Sequence, residues 1–163
     1  MPITLNGDGA ISGLTATGIS AVQNLPAGSV LQVVQSESTT QVTVNNTTTF
    51  SSLSLSASIT PKFTTSKILV ILSVAVRATG AAIVGVKIQR GGSDIKTYGF
   101  VTHLNSNIAI TSSNSMVYLD SPASTSSLTY SVLGNSNQAS STFQFSDGAG
   151  TQISSITLLE IAG

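Results

Sequence analysis

Residues Ser58–Arg77, SITPKFTTSKILVILSVAVR, carry a Pro- and Thr-bearing turn that runs directly into nine residues, Ile68–Val76, with one polar interruption at Ser73. Nine residues are too few to cross a bilayer as a helix, which takes about 20. The run is rich in Ile and Val and is bounded by Lys67 and Arg77, so it reads as a strand buried on both faces. Side chains alternate sides along a strand. One face therefore carries Ile68, Val70, Leu72, Val74 and Val76, and the other Leu69, Ile71, Ser73 and Ala75. A central strand that needs cover on both sides implies two packed layers.

The rest of the chain supplies further strands. Val30–Gln35 is followed by Gln41–Val44 and the turn-prone Asn45-Asn46. Phe50–Ile59 places Leu53, Leu55, Ala57 and Ile59 on one side and Ser on the other, the pattern of a half-buried antiparallel strand. Ile83–Arg90 alternates likewise, with Val84, Val86 and Ile88 inward and Gly85, Lys87 and Gln89 outward, and Gly91–Asp94 then makes a hairpin turn. The chain returns over Asp94–Thr102. Ile108–Leu119 reads as a strand pair or one long bent strand, Leu128–Leu133 and Phe143–Phe145 as strands, and Ile153–Ile161 as the last. Ser121–Ser127 and Gly134–Ser141 read as loops, and Asp147–Gly150 as a turn. No segment sustains a helical period with caps. The expected fold is an all-β antiparallel sandwich, jelly-roll-like, over residues 30–163, with a barrel as the other architecture compatible with this spacing.

Residues 1–29 have a different texture. Five glycines and two prolines are interspersed with Ile3, Leu5, Ile11, Leu14, Ile19, Val22 and Leu25, too irregular for one helix and too apolar for a solvated tail. This reads as an extended Gly-rich arm whose apolar residues dock on its own body or on a neighbouring chain. Asn6–Gly9 is a tight turn in this reading.

Composition narrows function. Charged residues make up 7% of the 163-residue chain and the formal net charge is zero, against roughly 25% charged in ordinary globular proteins. With a mean hydropathy of +0.35, solubility rests on hydroxyls and amides, which suits an assembled particle better than a free monomer. The cations Lys62, Lys67, Arg77, Lys87, Arg90 and Lys96 all lie between positions 62 and 96, and pairing with acids across strands is the expected outcome. Without interleaved aromatics they make no nucleic-acid footprint.

Chemistry is sparse. There is no Cys, which excludes disulfides, thiolate catalysis and Cys-based zinc sites. His103 is the single histidine and reads as structural. A carboxylate pair drawn from Asp94, Asp120, Asp147 and Glu160 is formally available to a glycosidase, but nothing in their context favours it. No G-x-S-x-G, P-loop or G-x-G-x-x-G is placed as its chemistry requires. The expectation is a non-enzyme with no cofactor and no metal. Tyr98, Phe100, Tyr118, Tyr130, Phe143 and Phe145 could stack on sugar, but aromatics at alternating strand positions more often fill a core. The start of the chain lacks the pattern of a secretory signal, so assembly in the cytoplasm where it is made is expected.

The opening MPITLNGDGAISGL (Met1–Leu14), with LPAGSVLQVV (Leu25–Val34), resembles the start of short virion proteins of tailed phages, marine and cyanobacterial ones especially. Ser58–Pro61, Ser66–Val70 and the closing Ile156–Ala162 resemble a β-domain common in phage fibre-like and decoration-like proteins. The resemblance implies a non-enzymatic virion component, frequently a homotrimer. Two roles follow from it. One is a capsid decoration or cement protein whose partner is the major capsid protein. The other is a tail-fibre or receptor-binding protein that attaches to tail proteins and contacts host glycans. Neither role involves a membrane.

Overall fold

The computed structural model describes residues 4–5, 11–12, 25–45, 47–79, 82–104, 110–136, 142–146 and 151–163. Its strands are β1 (Thr4–Leu5), β2 (Ile11–Ser12), β3 (Val30–Ser38), β4 (Val42–Asn45), β5 (Thr47–Ile59), β6 (Lys67–Thr79), β7 (Ala82–Arg90), β8 (Ser93–Leu104), β9 (Ile110–Asp120), β10 (Leu128–Ser136), β11 (Thr142–Phe145) and β12 (Ser154–Ile161). Among the described residues there is no helix.

β6 is the central strand that its composition predicts. It pairs with β9 along one edge, and along the other with β12 over its first half and β11 over its second. β3 in turn pairs with β12, and β4 with β11. β3 with β4, and β11 with β12, thus act as two interrupted strands. The order across this six-stranded sheet is β3/β4, β12/β11, β6, β9, and the facing sheet runs β5, β10, β7, β8. Every pairing is antiparallel. Apart from the β7–β8 hairpin, which stays within one sheet, and with β3/β4 and β11/β12 each counted as one strand, successive strands alternate between sheets in the order of a jelly roll, whose eight strands wind as two Greek keys. The predicted sandwich is observed.

The core lies between the sheets. Ile68, Val70, Leu72, Val74 and Val76 of β6, with Ile156 and Leu158 of β12 and Phe143 and Phe145 of β11, face Leu53, Leu55, Ala57 and Ile59 of β5. Val84, Val86 and Ile88 of β7, Tyr130 and Val132 of β10, Val44 of β4 and Met116 of β9 complete it. At roughly 25 cal/mol per Å² of apolar surface buried, this packing is the main favourable term holding the two sheets together.

Where β6 exchanges β12 for β11, the backbone of Ala75 falls between two partners. The Ala75 N–H donates to Ser154 Oγ at 3.1 Å and its carbonyl accepts from the Ser146 N–H at 3.1 Å. Ser146 Oγ lies 3.0 Å from both Ser154 Oγ and the Ser38 carbonyl. Buried backbone groups need partners, and these serines supply them at the break.

Several expectations change. Gly134–Ser136 is not loop but the end of β10. Of the two readings of Ile108–Leu119, the single long strand is the one observed, from Ile110 to Asp120. The hairpin turn is Gly91-Gly92 alone, with Arg90 opposite Ser93 and both glycines at positive φ, 55° and 84°. Two-residue hairpin turns of this kind require such backbone at both positions. Gly85 shares the outer face with Lys87 and Gln89, as expected, but is buried there because Phe50 and Asn135 cover it. β6 is not buried equally on both faces, for Leu69 and Ile71 are only half covered. The turns expected at Asn6–Gly9 and Asp147–Gly150 lie outside the described residues, and Thr4–Leu5 pairs with Ile11–Ser12.

Candidate functional site

The two outer faces of the sandwich are chemically unlike. On the four-stranded sheet, residues in register across the outer face are Ser56, Ser131, Gln89 and Asp94, and beside them Ser52, Leu133, Lys87 and Thr97. Lys87 Nζ bonds Asp94 Oδ2 at 2.7 Å and lies 4.2 Å from the Phe50 ring centroid, and Gln89 Nε2 donates to Asp94 Oδ1 at 2.8 Å. The Lys87 and Gln89 donors hold the Asp94 carboxyl below the usual range. This is a water-facing surface.

The outer face of the six-stranded sheet is aliphatic at one end. Val33, Leu159, Leu69 and Leu119 stand in one register row that crosses β3, β12, β6 and β9. The next row is Gln35, Thr157, Ile71 and Val117, and the one after it Glu37, Ser155, Ser73 and Ser115. On the other side of the aliphatic row lie Val30, Ile161 and Lys67. Val33 and Val117 are each 57% exposed, Val30 50% and Leu119 49%. The face thus grades from branched aliphatics to hydroxyls. A contiguous apolar surface differs from scattered exposed Leu or Val in marking a contact site.

The signal for this face lies in breaks of alternation. Val33-Val34 in β3, Leu158-Leu159 in β12 and the unbroken Ile-Leu-Val-Ile-Leu of β6 each put an apolar residue on the side away from the core. That these residues line up in one row depends on strand order and register, which a single sequence does not display.

Of the apolar arm residues, Leu5 and Ile11 are register partners in the β1–β2 pair. Leu25 is 46% exposed. Ile3, Leu14, Ile19 and Val22 lie outside the described residues. The arm joins the body beside the aliphatic row, where the Gly28 N–H donates to the Ala162 carbonyl and the Ala162 N–H to the Ser29 carbonyl, each at 2.8 Å.

The candidate carboxylates take up structural positions. Asp120 and Glu160 are both register partners of Ile68, on its two sides. Asp120 Oδ2 accepts from Arg90 Nη1 at 2.6 Å and from Tyr130 Oη at 2.7 Å. Burial, and then the bond to Asp120, push the Tyr130 hydroxyl well above its ordinary range, so it stays a donor. Glu160 has no solvent exposure. Its Oε1 accepts from the Lys62 N–H and Ser66 Oγ, and its Oε2 from Gln32 Nε2, each at 2.6 Å. Burial alone would raise the Glu160 pKa, but the donors from Ser66, Lys62, Gln32 and the Phe63 amide together outweigh it and hold the carboxyl below the usual range. Asp94 is exposed and paired with Lys87, and Asp147 lies outside the described residues. His103 is on β8, opposite Ile83. Among the described residues no group of three or more His, Cys, Asp or Glu is placed to hold a metal ion, and no helix is long and apolar enough to cross a membrane.

Tyr130, Phe143 and Phe145 are buried in the core. Tyr98 and Tyr118 are half-buried, and Tyr98 Oη donates to the Val117 carbonyl at 2.7 Å. The Phe100 side chain lies outside the described residues. The expected cross-strand charge pairing is present in Lys87–Asp94 and Arg90–Asp120.

No protein-family model and no curated protein matches the chain. Among solved structures it is similar to the VP2 subviral particle of infectious bursal disease virus, a viral particle protein, with 14% identity over 81% of this chain and a TM-score of 0.39. The match spans 37% of that protein's length. At this level of similarity, function has to be argued from the chain's own residues.

Proposed function

We propose that this chain is a non-enzymatic structural protein of a tailed-phage virion, a capsid decoration or cement subunit that works as a homotrimer on the major capsid protein. The observation that carries the reading is the contrast between the two outer faces, one hydroxylic and charged, the other crossed by Val33, Leu159, Leu69 and Leu119. A free monomer would expose that aliphatic row to water, and with no net charge to oppose association the row favours assembly. The low charge and the apolar arm support the same reading, as does the resemblance to phage decoration-like proteins. The buried carboxylates Asp120 and Glu160 have structural partners, so neither calls for an enzymatic role.

The test is to add the purified full chain to phage capsids that lack it and image the particles. Regularly spaced density on the shell, with a raised temperature of capsid disruption, is the expected result. Absence of binding removes the reading, and density confined to the tail would replace it with a tail-attachment role. Removal of residues 1–25 should leave a folded body that no longer decorates. Full occupancy by the truncated chain would remove the arm from the attachment.

A further inference from the structure

Resting on that assembly reading, we infer that a second copy of this chain docks on the aliphatic outer face of the six-stranded sheet, which is therefore the face turned toward the symmetry axis of the oligomer.

Extent is the first argument. The aliphatic residues are not a strip along one strand but a band across β3, β12, β6 and β9, and both edge strands contribute exposed members to it, Val33 on β3 and Val117 and Leu119 on β9. Four strands at about 4.8 Å spacing make a face roughly 15 Å wide. A single extended segment laid on it would cover about one strand width and leave most of the row in water. The outward positions of these four strands together approach the 20 to 30 residues that one side of a stable protein interface takes.

Charge is the second. Close to a rotation axis a residue lies beside its own copies, so a charge there faces like charge. Between Lys67 and Arg77, at the two ends of β6, the outward-facing rows that cross the sheet hold a single charged residue, Glu37, and it sits on the edge strand β3. The middle of the face is aliphatic or hydroxylic and can meet itself without repulsion. A strongly acidic or basic partner would find nothing here to pair with, whereas a copy of the same face is matched in character.

The grading of the face adds register. Aliphatic rows at one end and Ser73, Ser115 and Ser155 at the other give the face a dry end and a wet end. Apolar core beside polar rim is the usual layout of an interface.

The experiment is light scattering with size-exclusion chromatography on the full chain at micromolar concentration, repeated on V33D/L119D and on the polar-face control S56D. Val33 and Leu119 are exposed in the folded chain, so the substitutions should leave the circular dichroism spectrum unchanged. Val33→Asn with Leu119→Asn provides a milder pair should the charged pair misfold. The expected result is an oligomer for the wild-type chain and the S56D control, with self-association weakened on the order of 100-fold or more in the face variants. A wild-type chain that stays monomeric overturns the inference, as does an oligomer that survives both face variants. A chain that oligomerises only after removal of residues 1–24 also overturns it, because its own arm is then the occupant. Particle binding by the same preparations reports separately on the assembly reading. A wild-type oligomer that ignores particles fails that reading alone, and a monomer that decorates them fails the inference together with the homotrimer, leaving attachment to the particle standing.

Discussion

Arg90 Nη1 lies 2.6 Å from Asp120 Oδ2, and this ion pair joins the end of β7 in one sheet to the end of β9 in the other. Tyr130 of β10 donates to the same carboxylate oxygen. The Asp120 side chain is 7% exposed and that of Arg90 30%, so the pair sits at the rim of the core, where removing one partner leaves the other poorly solvated. Arg90→Ala and Asp120→Ala should each destabilise the fold by about 3 kcal/mol. Tyr130→Phe, which removes only a hydroxyl, should cost about 1 to 2 kcal/mol. Urea denaturation of the three variants checks the order. Equal costs for Tyr130→Phe and Asp120→Ala would mean that Arg90 adds nothing.

Glu160 sets a pH dependence. Its folded pKa is depressed, so the ionised form is favoured by folding. Its contribution is fully present above the pKa of an unfolded Glu, about 4.3, and is lost as pH falls through the lower folded value. Stability of the wild-type chain should therefore fall from about pH 5 downward. Glu160→Gln should flatten that slope while lowering stability at pH 7, since an amide cannot accept from Ser66, Lys62 and Gln32 together. Thermal melts at pH 7 and pH 4 read both effects.

Gly134 is in β10, opposite Val86 and facing the core. A Cβ there would lie 2.6 Å from Phe145 Cζ and 2.9 Å from Leu53 Cδ2. Phe145 is 1% exposed and Leu53 4%, so neither side chain has room to retreat. Gly134→Ala should destabilise by about 1 to 3 kcal/mol through overpacking. A denaturation midpoint equal to wild type would show that the Phe145 ring shifts freely.

Ser154 Oγ accepts the Ala75 N–H at the break between β11 and β12. Ser154→Ala leaves that buried donor without a partner and should cost about 1 to 3 kcal/mol. Faster amide hydrogen exchange at Ala75 than at Leu72, which lies within the continuous pairing with Ile156, would locate the loss at the break.

Much of this architecture is readable in the residues, and the reason is local. The alternation of Leu53, Leu55, Ala57 and Ile59 with Ser, the Ile/Val run of β6 and the Gly91-Gly92 pair each specify a strand or turn through short-range sterics and burial. The extension of β10 through Gly134 is not readable in this way. Glycine is a poor strand former taken alone, and it is required there because Phe145, from the other sheet, fills the space of its side chain.

The chain's own pattern determined an all-β body, its central strand, most of the core-facing residues and a composition poor in charge. Tertiary structure alone decided that Val33, Leu159, Leu69 and Leu119, which are far apart in the chain, form one row, and that Asp120 and Glu160 flank Ile68. The physical reason is that alternation assigns a residue to a face of its own strand, whereas strand order and register decide which residues share that face. Those pairings are set by the packing of the two sheets as a whole.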